Sequence, residues 1–577
     1  MGRVERHTAA NRAITCYLLE QGFGEVTPPK LKYALRGLVS FEGLLKVKSQ
    51  SFRIRVDIPD WDFVDYPEIY LLDEAEAFRP HVNQLGGICY LAGGSIIFDR
   101  YRPVGSLQHC LKLAAEELER QSTIGYRHDE SKYEFIRYWA EDWSCLLGTV
   151  RPEKGIHSTT MSVISGVRRL FSDSAEEIEK IGLIIKRELA PTDKKDDLCP
   201  AWVITLEMDP WLDQRGPPKT WMDLWSWLQM VDERAYQRLM CLVNSKAFAE
   251  AALCAILFRY ESKWFGVNAT ISVEIRKQWA LDKLKRGGRS GLSNYLRNVR
   301  GGAIKVLPFT TTDVTEPFLH GRNLGSQQGL GGLRIHLVGA GAVGSFLAQQ
   351  LVRLGAGTEG GEFRIIDTQY LSSENLGRHV LGLDFLFQMK ASAMATFLMR
   401  QFPLANLVGI DVDARKVSNL FDCDLLIDAT GEEALSLVLN EQHQELIKSG
   451  VNTPAMIFTW VLANGEVVQA LLSDGGNHAC YDCLHLPEGD EIERQRFRIL
   501  KKLPETRFVG CHTMRPYATT APATAASLAA QMASDWKAGN PSPRYRTLYL
   551  GHGSHLHSPK SDSDPDRLAK CVTCSTI

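Results

Sequence analysis

The chain has 577 residues, with 66 Lys and Arg against 68 Asp and Glu and a formal net charge of -2. At about 150 residues per domain, that length allows roughly three or four domains, each able to bury its own core. Near-neutral charge removes the usual electrostatic argument for a nucleic-acid or membrane-surface protein, since both need a basic patch. The opening MGRVERHTAANRAITCYLLE lacks the apolar run of a secretory signal, and no stretch approaches the roughly 18 apolar residues of a membrane helix. These features predict a cytoplasmic protein with no nucleic-acid and no membrane partner. In that compartment 13 cysteines read as core residues, metal ligands or nucleophiles rather than as disulfides.

In chain order, residues 1–148 begin with a helix expected over about 8–21. Strand-like segments FRIRVDI (52–58) and EIYLL (68–72) follow, then the helical stretch SLQHCLKLAAEELERQ (106–121), where Leu107, Leu111 and Ala114 recur at helical spacing. This is an α+β pattern. Residues 149–320 have no fixed repeat and are rich in tryptophan (Trp202, Trp211, Trp221, Trp225, Trp227). The basic, glycine-punctuated LKRGGRSG (284–291) reads as the linker of this intermediate domain. GRNLGSQQGLGG (321–332) is by composition a flexible lead-in. From Leu333 onward apolar strands (LRIHLVG, EFRIIDT, LVGIDV, DLLIDAT) alternate with amphipathic helices, which predicts parallel βαβ units and a doubly wound, Rossmann-like sheet over 321–577.

Gly339-Ala-Gly341-Ala-Val-Gly344 matches GxGxxG. With 47 glycines, chance alone gives about 0.3 such matches per chain, so the string needs its context. A second match, Gly355-Ala-Gly357-Thr-Glu-Gly360, follows a helix and reads as a loop. The first ends the strand RIHLV and opens a helix, which turns backbone N–H groups and the helix dipole toward an anion. Asp367 ends the next strand, where a carboxylate reaches ribose hydroxyls. Beyond it stand Asn375, Arg378, His379, Lys390 and, in DLLIDATG, Asp428. Read only as residues, Arg378 can equally be a surface ion pair and Lys390 a solvated helix charge.

The spacing Asp-x7-Asn-x2-Arg resembles the ThiF-type adenylation domain shared by ubiquitin-activating enzymes and by the sulfur-carrier activators of thiamine and molybdopterin synthesis. The resemblance implies that Asp367 holds ribose, that Asn375, Arg378 and Lys390 bind the triphosphate of ATP, and that Asp428 helps place Mg²⁺. Attack of a carboxylate on an α-phosphate requires such cations. Ala342 stands where many relatives have glycine, and His379 where many have glutamine. Which arginine completes the site is left open, Arg322 being one candidate.

Two CxxC pairs, Cys480/Cys483 and Cys571/Cys574, offer four thiolates, the donor set of a closed structural Zn²⁺ site. A redox CxxC is the alternative and predicts no metal. The family resemblance favours zinc. Cys511, in RFVGCHTMRPYATT, lies outside both pairs, and in the activating enzymes a loop cysteine before such a helix takes the adenylated carboxylate as a thioester. A buried apolar cysteine is the plainer reading.

FRIRVDIPDWDFVDYPEIYLLD (52–73) with RPHVNQLGGICYL (79–91) resembles the core of ubiquitin-conjugating enzymes, with Cys89 at the reactive position. The family's His-Pro-Asn order is replaced here by Pro80-His81-Val-Asn83, so that His81 or Asn83 is the expected oxyanion donor. Cys110, on the helix 106–121, is the second candidate thiol, better suited to packing.

An N-terminal ubiquitin-conjugating-like domain, an intermediate domain and a C-terminal activating domain in one chain resemble the fused enzymes of bacterial antiphage operons, the CD-NTase-associated protein 2 family of CBASS systems. That resemblance implies a homodimer that adenylates the C-terminal carboxylate of a CD-NTase partner, relays it through Cys511 and Cys89, and conjugates it to a target lysine. Three alternatives stay open: the same relay acting on a ubiquitin-like protein of another operon, a sulfur-carrier adenylyltransferase, and a non-catalytic nucleotide-binding scaffold.

Overall fold

The computed structural model describes all residues except 1, 28–38, 49, 73–78, 84, 122–123, 141–143, 153–154, 165–167, 189–196, 252, 270, 286–290, 298–303, 487–491, 510–511, 552–554 and 576–577. Most of the expected linker LKRGGRSG and the expected nucleophile Cys511 therefore lie outside the described residues. The chain forms two compact units, Met1–Asp173 with Asp193–Thr312, and Ser174–Thr192 with Asp313–Ile577. Among the described residues no helix is long and apolar enough to cross a membrane.

The first unit opens with an antiparallel sheet in the order Gly24–Val26, Val39–Val47, Gln50–Ile58, Glu68–Leu71. Along Gln50–Ile58 the buried Phe52, Ile54 and Val56 alternate with Arg53 and Arg55, which turns one face inward. Helices Arg3–Glu20 and Pro103–Arg120 cover that face through Ile14, Leu18, Leu107, Cys110, Leu111 and Leu118. The second helix starts three residues before the expected Ser106, because Pro103, with its preset φ, suits the first helical turn.

The tryptophan-rich stretch, which shows no period in the sequence, contributes to a closed seven-stranded barrel. Its strands run in the order Lys263–Ala269, Val306–Asp313, Ser144–Leu147, Arg168–Ser172, Ile156–Ile164, Asp197–Thr205, Cys254–Tyr260. Cys145, Leu147, Met161, Phe171, Val203, Leu257 and Phe309 fill the interior, and the rings of Phe171 and Phe309 stack with centroids 5.5 Å apart. Gly266 makes room for Phe309, since a Cβ there would lie 2.5 Å from its ring. Alternate residues of the same strands point outward, and Trp202, Ile256, Phe258 and Phe265 bury against the helices Phe135–Trp139, Trp221–Val231 and Glu233–Val243. Trp221, Trp225 and Trp227 belong to this outer layer and are at most 4% exposed.

The second unit carries the expected doubly wound sheet. Its order is Leu407–Ile410, Glu362–Ile366, Arg334–Val338, Leu425–Asp428, Ala455–Leu462, Val467–Ser473, Tyr545–Tyr549. The first five strands are parallel and the last two join antiparallel. Helix Thr520–Lys537 packs on the sheet and on helix Ala342–Arg353 through an alanine-rich face, Ala521, Ala525, Ala526, Ala529 and Ala533, whose small side chains permit close approach. The stretch 321–332, flexible by composition, is held instead: Leu330 is wholly buried, and Ser534 Oγ donates to the Gln328 carbonyl at 2.8 Å.

Truncating Phe309 to Ala removes a fully buried ring from the barrel interior and is expected to cost about 3–5 kcal/mol. The check is a lower denaturant midpoint for the unfolding transition reported by tryptophan fluorescence.

Candidate active site

The glycine loop lies where the strand Arg334–Val338 pairs with Glu362–Ile366 on one side and with Leu425–Asp428 on the other. Connections leave those two neighbours toward opposite faces, and such a switch point opens a crevice at the carboxyl ends of the strands. Gly339 adopts φ +92°, and its N–H donates to the Ile366 carbonyl at 2.8 Å. A Cβ on Gly344 would stand 1.8 Å from the Gly339 carbonyl oxygen, so only glycine lets helix Ala342–Arg353 begin so near the strand. The first turn of that helix brings unpaired N–H groups and a partial positive charge to the crevice.

Ala340, between the glycines, is tied on both sides. Its N–H donates to Asp367 Oδ2 at 2.7 Å, and its carbonyl accepts from His379 Nε2 at 2.8 Å. His379 Nδ1 accepts the Leu381 N–H at 3.0 Å, which leaves the ring proton on Nε2. Burial lowers the pKa of His379 and keeps it neutral. The histidine that departs from the family pattern thus shapes the loop and adds no charge.

Asp367 accepts a second hydrogen bond, from the Gln369 N–H at 2.8 Å. Lys390, 4% exposed, begins the helix Lys390–Met399 and donates to Gln369 Oε1 at 2.8 Å. Burial lowers its pKa; the Asp367 charge opposes that shift and the Arg378 charge adds to it. A desolvated ammonium next to a second cation gains from an anion between them, so these residues fit phosphate. The Arg378 guanidinium lies over the Tyr517 ring, 4.9 Å from its centroid. Asn375 Oδ1 accepts from the N–H and hydroxyl of Ser372 at 3.0 and 3.1 Å, which leaves its carboxamide NH₂ to donate. Arg322 is exposed and stacks on Phe318.

Asp428, at the end of its strand, is 2% exposed. Its Oδ1 accepts from the N–H and Oγ of Thr430, at 3.0 and 2.7 Å, and Oδ2 accepts from Ser436 Oγ at 2.5 Å. Burial raises its pKa against those hydrogen bonds. Three donors on roughly four lone-pair positions leave one for a cation, which suits a Mg²⁺ ligand. Sequence reading missed Thr430, Ser436, Gln369 and Tyr517. Of these, only the hydroxyls of TGEEALS, close behind Asp428, carried a signal.

The two CxxC pairs meet. The sulfurs of Cys480, Cys483, Cys571 and Cys574 all lie within 4.8 Å of one another, and the four side chains are buried. Cys480 is 3.8 Å from both Cys483 and Cys571, and Cys483 is 3.4 Å from Cys574. A tetrahedron with Zn–S bonds of about 2.3 Å has edges of about 3.8 Å, so the donors fit zinc. Asn440 Nδ2 donates to Cys480 Sγ at 3.5 Å and the Leu568 N–H to Cys483 Sγ at 3.3 Å, the outer hydrogen bonds that hold thiolate ligands in place.

Cys89 is exposed on a tight loop that hydrogen-bonds along Glu68–Leu71: Leu71 N–H to Gly86 O at 2.8 Å and Ile88 N–H to Ile69 O at 2.7 Å. Its own N–H donates to the His81 carbonyl at 2.7 Å. Asn83 Oδ1 accepts from the N–H groups of Leu85 and Gly87 at 2.9 and 2.8 Å, so this side chain builds the turn. Cys110 is wholly buried, and burial pushes its thiol up to about 11, as packing requires. Around Cys511, which is itself outside the described residues, Asn464 joins Glu505 to Pro516: Nδ2 donates to both carbonyls, at 2.9 and 3.3 Å, and Oδ1 accepts the Glu505 N–H at 2.8 Å.

The ThiF family model matches residues 318–566, and the Prokaryotic E2 family B model matches residues 30–145. Together with the doubly wound sheet and its glycine loop, they define an ATP-dependent ubiquitin-transferase-like enzyme with an adenylation domain and an E2-like domain. The chain is 30% identical over 528 residues to the ATP-dependent ubiquitin transferase-like protein Cap2 of Pseudomonas aeruginosa, covering 90% of this chain and 91% of that protein. It belongs to the Cap2 family. The Cap2 of Vibrio cholerae is 24% identical over 462 residues, 73% of this chain and 74% of its own length. Among solved structures, E. coli MccB with ATP shares 16% identity at a TM-score of 0.32, over 42% of this chain and 68% of that one.

Gly344→Ala is expected to abolish nucleotide binding, because a methyl 1.8 Å from the Gly339 oxygen displaces the helix start; fluorescent-ATP titration reads this out. Elemental analysis is expected to find about one zinc per chain, and Asn440→Ala to weaken zinc about 10–100-fold in competition with a chromophoric chelator.

Proposed function

We propose that the enzyme adenylates the C-terminal carboxylate of a partner protein with ATP and Mg²⁺, carries the acyl group as a thioester on Cys511 and then on Cys89, and joins it to a target lysine. The observation that carries this reading is the gathering of Gly339, Gly341, Gly344, Asp367, Arg378, Lys390 and Asp428 around one sheet switch point, in a chain that also exposes Cys89. The carboxylate oxygen attacks the α-phosphorus and pyrophosphate leaves. Arg378, Lys390 and the Asn375 amide offset the charge that builds on the phosphates, in a partly desolvated site where each is worth more than in water. Mg²⁺, held with the help of Asp428, supplies further neutralisation of that charge when bound. The Cys511 sulfur then takes the acyl carbon and AMP leaves, thiol exchange moves the acyl group to Cys89, and a lysine amine displaces that thiol.

The four-thiol cluster is a structural zinc site, closed by its four protein ligands. In this reading the chain works as three segments, 1–148, 149–320 and 321–577, in a cytoplasmic homodimer. Its protein substrate is the CD-NTase partner of an antiphage system.

The test incubates the full-length enzyme with the partner and ATP and resolves the products on non-reducing gels. Wild type is expected to form thiol-sensitive adducts, Cys89→Ala to trap the adduct on Cys511, and Cys511→Ala to form none. Arg378→Ala is expected to slow ATP–pyrophosphate exchange about 10²-fold. Adducts that survive both cysteine substitutions would rule out the relay.

A further inference from the structure

The short helix Phe135–Trp139 has two unlike faces. Phe135 and Trp139, four residues apart, are wholly buried among Trp227, Phe258 and Phe265 of the barrel's outer layer, and Trp139 Nε1 donates to the Gly266 carbonyl at 2.8 Å. Glu134 and Tyr138, also four apart, meet the Cys89 loop instead. Tyr138 Oη accepts the His81 N–H at 2.6 Å and donates to Glu134 Oε2 at 2.7 Å. Glu134 Oε2 lies 3.6 Å from His81 Nδ1, and Glu130 Oε2, on the helix Ile124–Tyr133, lies 3.1 Å from His81 Nε2. The imidazole is thus flanked by a carboxylate on each ring nitrogen. The His81 carbonyl also accepts the Cys89 N–H at 2.7 Å, which holds the two residues side by side.

His81 sits at φ +57°, a left-handed conformation that strains a non-glycine residue and persists where surrounding contacts impose it. The contacts here are the Tyr138 hydroxyl on the His81 N–H and the Cys89 N–H on its carbonyl. Gln121 Nε2 adds a bond to the Pro80 carbonyl at 2.8 Å.

We propose that His81 is the residue that stabilises negative charge on the Cys89 sulfur during acyl transfer, and that Glu130, Glu134 and Tyr138 are its positioning residues, mounted on the tryptophan-rich middle region. The proposal rests on the reading of Cys89 as the conjugating thiol. On discharge, the acceptor nitrogen bonds to the carbonyl carbon, the carbon–sulfur bond breaks with its electron pair kept by Sγ, and the amine proton passes to water. His81 donates a hydrogen bond to the departing sulfur. The titratable groups facing the residue are the Cys89 thiol on its own loop, Tyr138, Glu130, Glu134, and Glu117 of the helix Pro103–Arg120, the last paired with Arg120 at 2.7 Å. The neighbouring Cys89 side chain raises the histidine pKa first, burial opposes it, and the glutamates add to it, to about 9, so the ring is cationic at neutral pH.

Two measurements on the full chain test this. Histidine C2 hydrogen–deuterium exchange read by mass spectrometry is expected to titrate His81 near pH 9 in wild type, and about one unit or more lower in Glu134→Gln or Glu130→Gln. Discharge of the Cys89 thioester to free lysine, followed on non-reducing gels, is expected to slow about 10²-fold in His81→Gln and about tenfold in Tyr138→Phe and Glu134→Gln. Thermal unfolding of the two near-isosteric glutamate variants controls for folding. A wild-type adduct that discharges within twofold of its normal rate in all these variants, or a His81 midpoint near 6.5, overturns the assignment and leaves the relay standing. Absence of any Cys89 adduct in wild type overturns the relay and the assignment with it.

Discussion

The nucleotide end of the molecule depends on the contact between Gly344 and the carbonyl of Gly339. Because no side chain stands between them, the helix Ala342–Arg353 starts directly over the end of its strand, and the loop is drawn so tight that both backbone groups of Ala340 point sideways. Asp367 takes the N–H and His379 takes the carbonyl. These two bonds fasten the second strand and the turn Leu376–Arg378 to the loop, and Gln369 extends the chain of contacts to Lys390. Four separate segments are in this way held together around the glycine loop by hydrogen bonds to its main chain and to one another.

Burial gives those groups their strength and their cost. Lys390 and Asp428 are both below 5% exposed, with pKa values displaced toward the neutral form. Charges in such surroundings destabilise the fold unless partnered. Thr430 and Ser436 give Asp428 three hydrogen bonds, whereas Lys390 has one amide oxygen and the field of Asp367. A site of this kind favours polyanion and cation together, the combination that adenylation demands. In the same unit the four-thiol cluster joins Cys571 and Cys574 to the turn Tyr481–Leu484. Four thiols this close suit a shared cation, which would tie Cys571 and Cys574 to that turn.

In the first unit the tryptophans settle a question that composition left open. A five-residue helix has little stability of its own; Phe135 and Trp139 secure it by packing into an aromatic layer already held by a closed barrel. The helix then presents Glu134 and Tyr138 as fixed groups to the loop that bears Cys89. A barrel suits this task, since it has no free sheet edge along which the support could slip.

Local physics made much of this legible in the sequence. The strand–glycine–helix order located the turn between Arg334–Val338 and Ala342–Arg353, while the second copy at Gly355–Gly360 follows a helix, as expected. Alternation in 52–58 and helical spacing in 106–121 placed the first sheet and its covering helix, since each pattern reports a single face. The pairing of Cys480/Cys483 with Cys571/Cys574 was readable because thiolates are few and their ligand spacing is short. The barrel was not readable: its strands come from 144 to 313 and close by pairings between distant segments, and an interior and an outer layer that are both apolar erase the alternation that marks a strand. Nor were Tyr517 beneath Arg378, or Glu130, Glu134 and Tyr138 around His81. Tyrosine and glutamate are common on any surface, so these acquire meaning only when the fold sets them within hydrogen-bond or ring-contact distance. The sequence by itself determined which residue types the chemistry requires and which segments bear them; the tertiary structure decided what each one touches, because those contacts span tens to more than a hundred residues and no local pattern encodes them.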